Sequence, residues 1–184
     1  MMTMSRQVYR IESYTFSNAD ALLFDANIWL YIYGPQGDLH PRFKTTYTLA
    51  LRQIRGAKIP IYIDVLVLSE FINAYARFFY NKLPQATKPA EFKIFRSSAE
   101  FKPIAQRIAK FSRRILAKCD RIESGFESVD MGALLGDYAT GDADFNDRIL
   151  TQLCRARNLK LVTHDADFKA SDVTILTANP KLLN

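Results

Sequence analysis

The chain has 184 residues, 48% of them apolar, and a net charge of +6. That length suits one globular domain with a sizeable core, and the longest early apolar run, over 21–33, is broken by Asp25 and Asn27 and too short to cross a bilayer. With no secretory signal in the first twenty residues, and with Cys119 and Cys154 lacking any CxxC or Cys/His spacing, the composition argues against a membrane protein, a disulfide framework and a cysteine zinc site. It points to a cytoplasmic protein with reduced, structural thiols.

Residues 21–24 form a short apolar run ending at Asp25, which predicts a buried strand. Residues 28–33 predict a helix or loop, with Gly34-Pro35-Gln36-Gly37 as its breaker. Phe43, Tyr47, Leu51 and Ile54 recur at helical spacing over 41–55, and Gly56 is placed as a stop. A second strand is expected over 58–64. A helix over 67–83 follows, its apolar stripe made by Leu68, Phe71, Ile72, Tyr75 and Phe79, with Glu70 in the first turns. Pro84, Pro89 and Pro103 cut 82–121 into at least two pieces, the second a helix from about 103 to 118 with proline in its first turn. Residues 124–139 show no decisive pattern. A helix over 144–157 is capped by Asp142 or Asp144 and stopped at Asn158, and strands are expected over 160–163 and 173–176. No repeat or linker is visible, so the expectation is one domain over 1–184, of the α/β class with a parallel sheet covered on both faces.

Charge is unevenly distributed. Residues 88–121 contain ten basic and three acidic residues, a local charge of +7, which leaves the remainder of the chain about neutral. Such a concentration favours an anionic polymer, because each neutralised phosphate releases condensed counterions. Arg107, Lys110, Arg113, Arg114 and Lys118 are the candidate phosphate-binding residues, RNA-binding if the resemblance given below holds; a merely solvated helix face is the plainer alternative. Phe92, Phe95, Phe101 and Phe111 interleave with the cations and suit either base stacking or the buried side of the same helices.

Against this basic background, carboxylates gather at four short stations: Asp25 with Asn27, Ser69-Glu70, Asp142 to Asp147, and Thr163 to Asp167. In a parallel α/β sheet, ligands bind outside the carboxyl ends of the strands. Asp25 and Asp165 each follow a strand candidate, and Glu70 and Asp147 lie early in helices that can start at the same edge. Three or four acids from separate segments can seat hard divalent cations, which take oxygen ligands and neutralise phosphate charge. Asn27 and Thr163 add neutral groups able to orient a carboxylate. Each acid also has a simpler role: Asp25, Asp142 or Asp144 as helix caps, Asp165 in an Asx turn. His164 is equally an exposed turn residue or a catalytic base, and His40 has no supporting context. Crowded carboxylates without a cation should hold their protons to raised pH.

Taken in order, the blocks Leu22-Leu23-Phe24-Asp25-Ala26-Asn27, Val67-Leu68-Ser69-Glu70-Phe71-Ile72, Asp144-Phe145-Asn146-Asp147-Arg148-Ile149-Leu150 and Leu161-Val162-Thr163-His164-Asp165-Ala166-Asp167-Phe168 resemble the PIN domain, the fold of VapC-type toxins. The resemblance implies a three-layer α/β/α sandwich with a central parallel sheet. It also implies a Mg²⁺- or Mn²⁺-dependent ribonuclease site, with Asp25, Glu70, Asp147 and Asp165 as the acidic set. Asp144 competes with or partners Asp147 one helical turn later, Asn27 and Thr163 are accessory polar positions, and Asp167 is a structural turn residue. A possible antitoxin partner and a homodimer belong to the same implication. The basic helical segment at about 84–130 departs from the compact toxin pattern as an insertion. Two rival readings are a PIN-like RNA-binding module that acts through a protein partner without catalysis, and a receiver-like phosphotransfer domain. The latter is weakened by the lack of an Asp-x-Asp after the first strand and of a convincing lysine partner.

Overall fold

The computed structural model describes residues 7–141 and 144–184. In chain order its elements are β1 (Val8–Arg10), β2 (Leu22–Phe24), α1 (Ala26–Tyr33), α2 (Pro35–Leu39), α3 (Pro41–Gly56), β3 (Ile61–Ile63), α4 (Val65–Lys82), α5 (Phe92–Arg96), α6 (Phe101–Leu116), β4 (Asp120–Arg121), α7 (Met131–Ala139), α8 (Phe145–Arg157), β5 (Lys160–Val162), β6 (Ile175–Thr177) and α9 (Pro180–Leu183). The strands make one six-stranded sheet in the order β1-β6-β5-β2-β3-β4, and every pairing is parallel. Among the described residues no helix is long and apolar enough to cross a membrane.

The centre of the sheet follows from local sequence. Leu22, Leu23 and Phe24 are all 0% exposed. Successive strand residues point to opposite faces, so both faces of β2 are covered and the fold is an α/β sandwich. From β2 the chain moves outward through β3 to β4, then returns across β2 to place β5 and β6 on its other side. The reversal puts a topological switch point between β2 and β5, the position where an open α/β sheet leaves a crevice outside its carboxyl edge. Asp25 directly follows β2 and Thr163 directly follows β5.

Most predicted elements form within a residue or two of their expected bounds; the exceptions have local causes. Residues 34–37 do not act simply as a breaker. Gly34 ends α1, but Pro35 opens the short α2 at a position where its missing N–H costs nothing. Gly37 allows this sharp reversal, since a Cβ there would lie 2.0 Å from the Tyr31 carbonyl oxygen. The strand expected over 173–176 is shifted to Ile175–Thr177, and 124–139 resolves into a short 3-10 turn and α7, capped by Asp130 onto the Ala133 N–H at 3.0 Å. β1 and β4 had no sequence signal because they are edge strands with mostly exposed residues. Asp64 caps α4 by accepting from the Leu66 N–H at 2.7 Å.

In the basic segment, α6 packs on α4, burying Ile108, Ser112 and Ile115. Phe95 is fully buried, and Phe92, Phe101 and Phe111 pack against the core, so these rings belong to the buried side rather than to an exposed stacking platform. Cys119 and Cys154 are free, and burial pushes both thiols up to about 12.

Where β5 begins, Lys160 of that strand donates to the Tyr14 hydroxyl at 2.5 Å and to the buried carboxylate of Asp20. Burial alone would raise the Asp20 pKa, but Lys160, the Ser17 N–H and Tyr14 outweigh it and leave the pKa lowered. Lys160→Met strips Asp20 of its cation while keeping the side-chain stem. The lysine is partly exposed and Tyr14 remains, so the expected cost is about 1.5 kcal/mol rather than that of a fully buried broken pair. It should read as a melting temperature lower by about 3–6 °C in thermal denaturation.

Candidate active site

Asp25 is 4% exposed and held from three sides. One carboxylate oxygen accepts from the Ala26 N–H at 2.6 Å, which makes Asp25 the cap of α1. The other accepts from the Thr163 hydroxyl at 2.6 Å and from the Asn27 side-chain amide. Asn27 extends the bracing, because its amide also reaches Thr163 Oγ1 at 3.2 Å and its oxygen accepts from the His164 N–H at 3.0 Å. Thr163 Oγ1 in turn accepts from the Asp165 N–H at 3.0 Å. Together these bonds tie the carboxyl ends of β2 and β5 into one network. Asn27 and Thr163 are therefore the groups that orient Asp25.

The remaining acids come from separate segments. Glu70 lies in the second turn of α4, Asp144 caps α8 through the Asn146 N–H at 2.8 Å, and Asp147 is half-buried in the first turn of α8. Asp165 caps the 3-10 turn Ala166–Ala170 through the Asp167 N–H at 3.0 Å. Capping and clustering thus coexist in the same residues. Asp142, the other cap considered, lies outside the described residues.

Electrostatics bind the acids into one group. Burial first, and then the charge of Asp165, raises Asp25 to about 6 despite its hydrogen bonds. Partial burial together with Asp25, Asp144 and Asp165 raises Glu70 to about 7. Asp147 is raised to about 8 by burial and by Asp25, Asp144, Asp165 and Glu70. Among the described residues, no three acidic, histidine or cysteine side chains converge tightly enough to form a ready-made metal cage. The acids are near enough to repel one another and separate enough to leave space between them.

His164 is neither an exposed turn residue nor a freely titrating base. It is half-buried, and its Nδ1 lies 2.7 Å from the Tyr47 hydroxyl. That hydroxyl also accepts from the Ala178 N–H at 3.0 Å, so Tyr47 ties His164 to the chain after β6. Burial and the nearby His40 push His164 down to about 4, with Asp165 opposing. His40 also has a place, its ring 6.0 Å from Tyr31 and 6.2 Å from Phe43.

A cavity of about 390 Å³ opens beside the acids, lined by Asn27, Tyr31, His164, Asp165, Asn179 and Lys181 among others. Tyr31, Tyr47, Asn179 and Lys181 had not been singled out from sequence as site residues. Asn179 alone had a readable signal, since Asn before Pro180 is a helix-cap pattern; its amide donates to the His164 carbonyl at 2.6 Å. The candidate RNA-binding residues lie elsewhere: Arg107, Lys110, Arg113 and Arg114 are exposed on α6, and Lys118 is half-buried just beyond it.

The comparisons with known proteins name the family of this parallel α/β sandwich with carboxylates gathered outside its switch point. The PIN domain family model matches residues 22–173, so the chain belongs to the PIN domain family. PIN domains are generally nucleases and typically use divalent metal ions. No curated protein matches the sequence significantly. Among solved structures, the chain is similar to one in the crystal structure of VapBC2 from Rickettsia felis bound to a DNA fragment from their promoter. The TM-score is 0.55 at 15% identity, covering 86% of this chain and 99% of that one. At that identity the likeness bears on the fold alone.

Proposed function

We propose that this chain is a metal-dependent endoribonuclease that hydrolyses RNA phosphodiester bonds with Mg²⁺ or Mn²⁺. The observation that carries this reading is the gathering of acids from four separate chain segments at the carboxyl edge of the sheet, around an Asp25 clamped by Thr163 and Asn27. The donor set suits a hard divalent ion, being carboxylate oxygens in mutual repulsion with no lysine or arginine paired to Asp25, Glu70, Asp147 or Asp165 among the described residues. When bound, such an ion neutralises charge on the phosphate under attack and on the leaving oxygen. Asp25, Glu70, Asp147 and Asp165 are the catalytic acids and would hold it, with Asp144 as a further ligand beside Asp147. Thr163 and Asn27 keep Asp25 in a single rotamer, so little reorganisation is needed when substrate arrives.

Exposed cations of the basic segment, Arg107, Lys110, Arg113 and Arg114 with Lys118, supply attraction for the RNA backbone. The whole chain is read as one domain, with 84–130 as a helical insertion. Likeness to a VapBC2 chain supports, by analogy of fold, a role as the toxin of a pair with an antitoxin protein as partner. The wild-type protein should cleave a panel of RNAs in Mg²⁺ or Mn²⁺ and not in EDTA, and Glu70→Gln should slow cleavage at least tenfold. Equal rates for the two proteins would overturn the assignment. RNA binding with no metal uptake in a Mn²⁺ titration would instead favour a non-catalytic RNA-binding module.

A further inference from the structure

Two adjoining clefts of about 500 and 520 Å³ lie at the C-terminal end of α1, the end away from Asp25, and share Ile32, Tyr33 and Lys44 in their walls. Six cations line them: Lys44, Arg52 and Arg55 from α3, and Arg107, Arg114 and Lys118 from α6 and the residues after it. The acid among the described lining residues is Asp38, which is paired with Lys44 at 2.7 Å. Five cations therefore face the groove without a carboxylate partner among the described ion pairs. Its floor is aromatic, with Tyr33 stacked on Phe111 at 5.5 Å and 19°. Arg107 lies over the Phe79 ring at 6.0 Å and Arg114 over Phe111 at 5.9 Å.

We infer that this groove is a second, non-catalytic binding site for the sugar-phosphate backbone of single-stranded RNA, formed jointly by α3 and α6. The inference rests on the nuclease reading for its choice of polymer and extends it to a site that the basic segment alone does not make. Arg52 and Arg55 come from a helix outside the +7 stretch, while Lys110 and Arg113 of α6 do not line the clefts. Cations along both walls match a groove that holds the phosphates of a single strand at its sides, and the rings between them, already stacked on one another, keep its floor apolar. A flat solvated face needs neither feature.

The groove is also placed to cooperate with the acids. From Asn27 at the acidic centre to Tyr33 in the groove is six residues of one helix, roughly 9 Å of rise. From Glu70 to Tyr75 is five residues of α4, roughly 7.5 Å. Both helices lead from one site to the other, so a strand of several nucleotides can occupy the groove while one of its phosphates reaches the acids. Binding should therefore strengthen with length, as a longer strand meets more of the cations.

The test is fluorescence anisotropy of labelled 4-mer and 12-mer single-stranded RNA in EDTA, using the full chain across a salt series. The Arg55→Ala/Arg114→Ala double variant should weaken 12-mer binding at least tenfold and lower the slope of log affinity against log salt by about 1.4, at ~0.7 per cation for single strands. Binding of the 4-mer should weaken as well, by a smaller factor because it meets fewer of the cations. Lys93→Ala/Lys102→Ala removes the same charge from exposed positions of the insertion outside the groove and should leave 12-mer binding within twofold. Equal weakening by both double variants, or by neither, overturns the proposal, as does full competition by poly-glutamate of matched charge, which would assign the groove to an acidic peptide. Because the assay contains no metal and reads no cleavage, failure of the nuclease reading would leave this result standing, and the reverse also holds.

Discussion

Asp25→Asn should abolish RNA cleavage while leaving the fold intact. The substitution is nearly isosteric, and the retained carbonyl oxygen can still accept from the Ala26 N–H that starts α1. The new amide would face the Thr163 hydroxyl and the Asn27 amide, both of which donate to this oxygen of Asp25, so those two bonds are lost while the cap of α1 remains. What disappears is the negative charge at the centre of the acidic group, coupled to Glu70, Asp147 and Asp165. If these acids seat a divalent ion, removing the most buried one should lower the cleavage rate about 1000-fold, equivalent to about 4 kcal/mol of lost transition-state stabilisation. Melting temperature in EDTA should stay level or rise, since a buried, repelled charge has been removed. Cleavage within threefold of wild type in Mg²⁺ or Mn²⁺ would sink the role given to Asp25. A collapse in melting temperature would show that its capping role dominates.

The acidic stations were legible because each sits where local rules act. Asp25 follows the wholly apolar β2, Asp165 follows β5 by a short turn, and Asp144 opens a helix with a 3.6-residue apolar pattern. Those signals need only neighbours in sequence, and the alternation of strands and helices then fixes the edge at which they meet. The bracing around them was not legible. Tyr47 reaches His164 across 117 residues, and nothing in the helical spacing of Tyr47 distinguishes a ring that packs from one that also hydrogen-bonds a histidine. Likewise, Arg52 and Arg55 read as ordinary exposed helix residues until α6 is laid opposite them. The basic segment attracted attention as a run of charge, yet its fold splits that charge between a groove and an open face. β1 and β4 escaped for a different reason. As short, exposed edge strands they carry neither alternation nor an apolar run, and their pairing is set by β6 and β3.

The second large effect expected is a loss of stability at alkaline pH that divalent metal reverses. Glu70 and Asp147 have folded pKa values raised to about 7 and about 8. The folded state therefore keeps protons that the unfolded chain has already released near pH 4, and stability must fall as pH rises toward those values. Asp25, raised to about 6, acts in the lower part of that range. His164 works against it there: lowered to about 4, it adds stability as pH rises to its unfolded value near 6.5. Above pH 6.5 the His164 contribution is complete, and the lowered Asp20 pKa matters only in acid. Between pH 6.5 and about 8 the slope is therefore set mainly by Glu70 and Asp147, and the raised thiols Cys119 and Cys154 add to it only toward pH 8.5. Screening by water at exposed Glu70 limits the loss there to about 2 kcal/mol, a fall in melting temperature of roughly 4–8 °C in EDTA. Asp147→Asn should remove most of that slope. A divalent ion at a hundred times its dissociation constant should add about 2.7 kcal/mol at pH 8.5 and much less at pH 5.5, where protons compete for the same oxygens. Thermal unfolding across this range with EDTA, Mg²⁺ or Mn²⁺ measures all three effects at once. A melting temperature that is flat or rising with pH in EDTA, unmoved by either ion at pH 8.5, would show that these acids are not a metal seat.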